Sequence, residues 1–294
     1  MPGSSAALMS RIETIVIHGG AWKLGDSIGS RASIRAALHL GYQVLCKTGS
    51  ALEGALAAVR AMEDDPDFNA GTGSSLALNG QCLMDASVML SDGRFGAVGA
   101  IEGVRHPIDV ACKVMTDTDH LLICGDWATR FARFWGFPKY DPVTPAERRK
   151  LKALRQAGSP HYTRQKRYLS FGTVGAVALD RYRRIAVATS TGGVRGKLPG
   201  RIGDTALYGA GTFAGRHGGA SSTGFGEEVI RLGLSRRVCD LLAAHRAQAA
   251  VDIALRGSSL VGVIALDRKG NIGLGHTTPD MTWGWIRDGN EATC

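Results

Sequence analysis

No apolar run in this 294-residue chain comes near the roughly 18 to 20 residues of a membrane helix, which excludes a helical span. Met1 to Ser10 lacks the basic-then-apolar order of a secretory leader, so a soluble cytoplasmic protein is the expectation. Paired cysteines are missing too. The six (Cys46, Cys82, Cys112, Cys124, Cys239, Cys294) stand apart, with no Cys-x-x-Cys and no histidine at metal spacing. That argues against a zinc site and for reduced thiols that fill the core. The dinucleotide fingerprint Gly-x-Gly-x-x-Gly is absent as well: His18-Gly19-Gly20 has the wrong order, and no acidic ribose partner follows.

Glycine is abundant by contrast. The 40 glycines are about twice the usual share and fall beside strand-like runs, which points to tight turns and close backbone approach. The net charge of +9 is uneven. Lys139 to Arg167 holds nine basic residues against Asp141 and Glu147, which is +7 in one segment. Aromatics (Tyr140, Tyr162, Tyr168) occur only near its ends, so a solvated, partly helical, mobile linker over 139–172 is preferred to a nucleic-acid arm. An exposed connection is also where a chain is cut without harm to its core.

Periodicity gives an α/β outline. Ile12 to His18 reads as a buried strand. Ser30 to Glu63 reads as two helices broken at Thr48-Gly49-Ser50, with Ser50 as N-cap. Leu76 to Met89 and Gly96 to Ile101 read as strands around an Asp92-Gly93 turn, and Pro107 to Met115 and Asp126 to Phe134 as helices. Val174 to Ile185 and Val261 to Ile272 match at seven of twelve positions, and both read as hairpins of one sheet. Glu227 to Ala254 reads as a long helical region, so sheets covered by helices are expected.

The chemistry centres on Gly172–Thr173, at the mouth of the run Val174-Gly175-Ala176-Val177-Ala178-Leu179. A cut before Thr173 would put a free α-amine beside its hydroxyl, so nucleophile and general base would share one residue. Thr189-Ser190-Thr191 ends the return strand of that hairpin and brings hydroxyls close to Thr173. Arg201 and Asp204 follow, three residues apart among glycines, and could hold the carboxylate and ammonium of an amino acid or form an ordinary surface ion pair. Thr223-Gly224-Phe225-Gly226-Glu227 opens the helical region with a hydroxyl and a free N–H, suited to an oxyanion or to a plain N-cap.

In this order and spacing, these four motifs resemble the plant-type L-asparaginase/isoaspartyl peptidase family of N-terminal nucleophile hydrolases. His18-Gly19-Gly20-Ala21, Phe68-Asn69-Ala70-Gly71-Thr72-Gly73-Ser74 and Met84-Asp85-Ala86-Ser87 extend the resemblance to the N-terminal half. It implies a four-layer αββα sandwich, made as a precursor that cuts itself at Gly172–Thr173. The products would be an α chain of residues 1–172 and a β chain of 173–294, and two cut protomers would associate as (αβ)2. By the resemblance, Thr173 is the nucleophile and Thr191 orients it. Arg201 and Asp204, with Gly226, bind a small amino-acid or dipeptide substrate. Thr223 and the Gly224 N–H form the oxyanion hole, and Asn69 reaches the nucleophile from the α chain. No catalytic cofactor is implied; the backbone carbonyls of Met62, Glu63, Asp65 and Phe68 are expected to hold a structural sodium.

The chain departs from the family pattern at Leu83, where a glutamate is frequent, at Thr205-Ala206, where Ser-Pro is usual, and at Phe225, which replaces His or Thr. The expectation is therefore an active hydrolase of asparagine or β-aspartyl peptides with its own substrate preference. A glycosylasparaginase-like enzyme, a relative that only processes itself, and a nucleic-acid binder using residues 139–167 remain the alternatives.

Overall fold

Every residue of β5 and β6, the hairpin that begins beside Thr173 (Val174–Leu179 and Ile185–Thr191), is buried. A strand is dry on both sides only where each face is covered by another layer, and that requirement organises the chain. The computed structural model describes residues 13–22, 30–156 and 172–294. It meets the requirement with two sheets packed face to face between two helical layers, the expected αββα sandwich.

The N-terminal half supplies β1 (Thr14–Trp22), α1 (Arg31–Thr48), α2 (Ala51–Asp64), β2 (Met84–Leu90), β3 (Phe95–Ile101), α3 (Pro107–Asp117), β4 (Leu122–Cys124), α4 (Gly125–Phe134) and α5 (Pro145–Gln156). The break between α1 and α2 falls where expected: Gly49 takes φ 66° and Ser50 Oγ accepts from Glu53 N at 3.3 Å. The strand expected from Leu76 starts only at Met84. Residues 76–83 instead turn through Asn79-Gly80, where Ala77 N donates to Gln81 O, and Leu78 N goes to Lys197 O. Backbone groups spent on a turn and on a distant loop cannot join a ladder.

After β5 and β6 come a single 3-10 turn (Asp204–Ala206), β7 (Thr212–Gly215), β8 (Gly218–Gly224), α6 (Gly226–Leu232), α7 (Leu234–Leu241), α8 (Ala247–Ala254), β9 (Val261–Asp267), β10 (Ile272–His276), β11 (Asp280–Arg287) and β12 (Asn290–Thr293). The helical region is three short helices, the first broken at Gly233 with φ 54°. The large sheet runs β12-β11-β1-β5-β6-β2-β3-β4, and the small one β10-β9-β8-β7. The two similar hairpins therefore lie in different sheets, which corrects the expectation of one. Their grammar fixes a local fold, whereas their neighbours (β1 for β5, β8 for β9) are chosen by tertiary packing.

Strand parity sorts the layers. On β5, Val174, Ala176 and Ala178 face the layer that includes Leu56 and Val59 of α2. Val177 and Leu179, with Ile185 and Val187 of β6, meet Ile264 and Leu266 of the small sheet. The outer face of that sheet, through Val261, Val263 and Ala265, packs on Val238, Ala250 and Val251. All six cysteines are free, and among the described residues no helix is long and apolar enough to cross a membrane.

The first part of the basic segment is anchored. Leu151 and Glu147 of α5 are buried, Glu147 pairs with Arg195 at 3.1 Å, and Arg155 Nε donates to Leu78 O at 3.0 Å. The mobile connection expected over 139–172 is thus corrected for 139–156, because one apolar stripe and one buried carboxylate tie this helix to the body. Residues 157–171 lie outside the described residues.

Leu266 is fully buried between the sheets. Leu266→Ala should cost about 2–5 kcal/mol of stability, measured as a lower urea midpoint with unchanged slope; an unchanged midpoint would contradict the two-sheet core.

Candidate active site

Antiparallel pairing of β5 with β6 sets Val174 opposite Ser190, which brings Thr173 beside Thr191 at the end of the ladder. Parity then separates the three hydroxyls of Thr189-Ser190-Thr191. Thr191 Oγ1 lies 3.2 Å from Thr173 Oγ1, while Ser190 points to the helical face and donates to Glu63 Oε1 at 2.6 Å. Thr189 enters the space between the sheets.

The Gly172 carbonyl receives two donors, Asn69 Nδ2 and Thr191 Oγ1, each at 2.9 Å. Asn69 has no freedom to do otherwise. Its Oδ1 accepts from Ser75 N at 2.7 Å, which fixes the amide, and Nδ2 spends its other proton on Gly193 O at 2.7 Å. Thr191 is equally committed: its one proton goes to Gly172 O, so it accepts from Gly193 N at 2.9 Å and from the Thr173 hydroxyl. The carbonyl before Thr173 is thus polarised, and the threonine proton has a defined acceptor.

Around this point Gly172, Thr173, Thr191, Gly193, Val194, Arg201, Asp204, Gly224 and Gly226 line a cleft of about 230 Å³. Larger hollows of about 1140 and 800 Å³ lie at the far end of the small sheet and on α7; neither is lined by any of these residues. The structure therefore brings together all the expected catalytic and substrate-binding residues except Asn69, which reaches in through Gly172, and Thr223, fully buried on β8 directly before Gly224.

Arg201 and Asp204 do not form the simple ion pair that was the alternative to a substrate clamp. Arg201 Nε donates to Glu227 Oε1 at 3.0 Å; Nη2 is as close to that oxygen but without hydrogen-bond geometry. Arg201 Nη2, Asp204 Oδ2 and Thr223 Oγ1 are buried without partners. Gly226 allows the approach, since a methyl there would stand 2.7 Å from Asp204 Oδ1 and 2.8 Å from Arg201 Nη2. A free cation donor and a free carboxylate oxygen beside a hydroxyl nucleophile complement the two charges of an α-amino acid. Burial raises the Asp204 pKa to about 7, against the pull of Arg201.

Three contributors had no assigned role in the sequence. Glu227 holds Arg201. Asp85 Oδ2 accepts from Gly203 N at 2.9 Å and Oδ1 from Ala100 N at 2.8 Å, which pins the loop before Asp204 to the sheet. Lys197 is buried, donates to the Leu83 carbonyl at 2.6 Å, and has its pKa lowered by burial. Glu227 and Asp85 sat inside quoted motifs, and an acid in a glycine-rich or apolar run is the signal that was available. Leu83 packs with Ala77 and Ala100, so its side chain is apolar filling and its carbonyl serves Lys197.

The backbone carbonyls expected to bind sodium differ in how far they are already engaged. The Met62 carbonyl would find its helical partner at residue 66, a proline without N–H. The Glu63 and Asp65 carbonyls accept from Thr72 N (2.7 Å) and Phe68 N (3.1 Å), each keeping a second lone pair, and those of Phe68 and Pro66 both crowd Gly73. These oxygens fit a hard cation. The Glu63 side chain is a structural tie instead. Burial holds its pKa well above the usual range, and Oε1 also accepts from Ile108 N at 3.1 Å.

Residues 11–294 match the family described as asparaginase. The chain is 40% identical over 298 residues to the plant-type L-asparaginase of Pyrococcus horikoshii, covering 94% of this chain and 97% of that protein. It is 37% identical over 290 residues to the isoaspartyl peptidase/L-asparaginase of Xenopus laevis, covering 93% and 92%. These matches define a hydrolase, and the chain belongs to the asparaginase family.

If Asp204 is to hold an ammonium it must be ionised, the form that predominates above its raised pKa of about 7. The kcat/KM of the active enzyme should therefore fall on the acid side with an apparent pKa near 7 and level off above it. An acid limb centred near the ordinary carboxylate value of about 4 would contradict this role.

Proposed function

We propose that the protein cuts its own Gly172–Thr173 bond and then hydrolyses the side-chain amide of L-asparagine, or the β-peptide bond of β-aspartyl dipeptides, through an ester on Thr173. The observation that carries this reading is the Gly172 carbonyl held by Asn69 and Thr191, with the Thr173 hydroxyl donating to Thr191. The names of the relatives, L-asparaginase and isoaspartyl peptidase/L-asparaginase, support the same substrates.

In the precursor, Thr173 Oγ1 attacks the Gly172 carbonyl carbon while its proton passes to Thr191, whose own proton moves to the carbonyl oxygen. The C–N bond then breaks as the proton on the carbonyl oxygen passes to the nitrogen, which leaves as the Thr173 amine, and water hydrolyses the Gly172 ester. The mature residue carries its own base, that amine. Substrate binds by its α-carboxylate to Arg201 and by its ammonium to Asp204. Thr173 Oγ1 attacks the side-chain carbonyl, the developing oxyanion takes the Thr223 hydroxyl and the Gly224 N–H, and ammonia or an amino acid leaves. Water then frees L-aspartate.

The narrow cleft suits small side-chain amides better than bulky ones. The carbonyls of Met62, Glu63, Asp65 and Phe68 hold a structural sodium that stiffens the loop carrying Asn69, and no cofactor takes part in catalysis. Two cut protomers associate as (αβ)2 in the cytoplasm.

Intact mass under denaturing conditions should resolve chains 1–172 and 173–294 in aged protein and a single chain in Thr173→Ala. Only the cut form should release ammonia from asparagine. A wild type that stays whole yet is active, or an active Thr173→Ala, would end the proposal. In cut enzyme, Thr223→Val should lower kcat by about 10²- to 10³-fold.

A further inference from the structure

The motif His18-Gly19-Gly20-Ala21 has no part in the mechanism above, although His18 is fully buried. Its Nε2 lies 2.9 Å from Ser221 Oγ. Ser221 is 2.9 Å from Thr189 Oγ1, Thr189 is 2.6 Å from Thr212 Oγ1, and Thr212 is 2.7 Å from Ser87 Oγ. Ser87 ends the series at the Thr205 carbonyl, 2.6 Å away. His18, Ser87, Thr189, Thr205, Thr212 and Ser221 are each 0% exposed, so these bonds are sealed from bulk solvent. The series crosses from β1 through β8, β6 and β7 to β2, a polar seam through the apolar space between the sheets.

Its proton directions run toward His18. Thr212 Oγ1 donates to Thr189 Oγ1. The arrangement that uses every remaining proton then has Thr189 donate to Ser221 and Ser221 donate to His18 Nε2. At the other end Ser87 donates to the Thr205 carbonyl and stands in donor geometry to Thr212. Nε2 is therefore the accepting nitrogen of the neutral ring, and Nδ1 carries its proton beside the Thr173 backbone. Burial lowers the His18 pKa to about 3, so the ring stays neutral and the proton count holds at working pH.

Both ends lie at the reaction. Thr205 follows Asp204 in the same 3-10 turn, and His18 pairs with Gly175, two residues after Thr173. Gly175 is a glycine for this reason: any side chain there would collide with Ser221 Oγ and His18 Nε2. Apolar residues of equal shape could fill such a seam without the risk of an unpaired polar group. Hydroxyl groups joined end to end instead transmit position between the two elements that must stay aligned.

We propose that His18, Ser221, Thr189, Thr212 and Ser87 form one positioning relay that fixes the Thr173 segment against the Asp204 turn. The proposal rests on Thr173 being the nucleophile. Its test compares cut wild type, Thr212→Val, Thr212→Ser, Ser221→Ala and the Thr212→Val/Ser221→Ala double variant on L-asparagine, each with a thermal unfolding curve. Thr212→Val and Ser221→Ala should each lower kcat about tenfold or more with KM changed less than about twofold. The double variant should be no worse than the poorer single, and Thr212→Ser should restore activity. Where a variant cuts itself too slowly to yield cut enzyme, its self-cleavage rate replaces kcat as the readout.

Unchanged kcat in a folded variant, losses that multiply in the double, or Thr212→Ser as poor as Thr212→Val would overturn the relay. Should Thr212→Val fail to fold, nitrogen NMR of the imidazole in uncut Thr173→Ala decides independently. A proton on Nδ1 of His18 at neutral pH supports the relay, and one on Nε2 overturns it. Activity in Thr173→Ala would instead remove the nucleophile assignment, a separate failure.

Discussion

The register of β5 on β6 carries the rest of the site. Side chains alternate with a period of two, so the pairing of Val174 with Ser190 puts Thr173 and Thr191 on one side and Ser190 on the other. A slip by one residue would hand Thr173 a neighbour that faces the wrong layer and would turn Val177 and Leu179 away from the small sheet. The same apolar burial that stabilises the sandwich therefore enforces the geometry between nucleophile and carbonyl. Position at the end of the ladder matters as well, because there the backbone is free to be held by side chains rather than by a neighbouring strand.

Those holding side chains are polar groups with every proton assigned. Asn69 uses its oxygen and both amide protons, and Thr191 its one proton and both acceptor positions. Asp85 does the same for the clamp, spending each oxygen on a backbone N–H from a different segment. In a dry interior an unpaired polar atom is costly, so fully committed groups have one arrangement and little freedom. Against that background the unpartnered atoms of Arg201 and Asp204 stand out by position, since both residues line the cleft with Thr173, and the unpartnered Thr223 hydroxyl directly precedes Gly224 of the same cleft.

Charge in the site is balanced rather than simply opposed. Glu227 engages Arg201 from one side, which leaves Asp204 with only part of the guanidinium's field while burial pushes its carboxyl toward the neutral form. In the proposed reading a ligand ammonium would supply the missing positive charge and a ligand carboxylate would take the free guanidinium donor. Incomplete internal pairing of the two groups is what would let them recognise an amino acid.

Local pattern determined much of this in advance. The alternation around Thr173, the caps at Gly49 and Ser50, the hairpins, and the glycine-flanked Arg201 and Asp204 are short-range features, set by period, φ preference and turn chemistry, and each reappears in the fold. The order of motifs further marked the family and the residues that line the cleft. Tertiary structure alone decided which sheet each of two near-identical hairpins joins, that residues 76–83 turn instead of extending, and that half of a strongly basic segment is an anchored helix. It also decided that Glu227, not Asp204, engages Arg201, and that His18 connects to Ser87 through three other hydroxyls. Those outcomes depend on which distant residues share a buried face, and burial couples residues by space, a quantity that spacing along the chain does not encode.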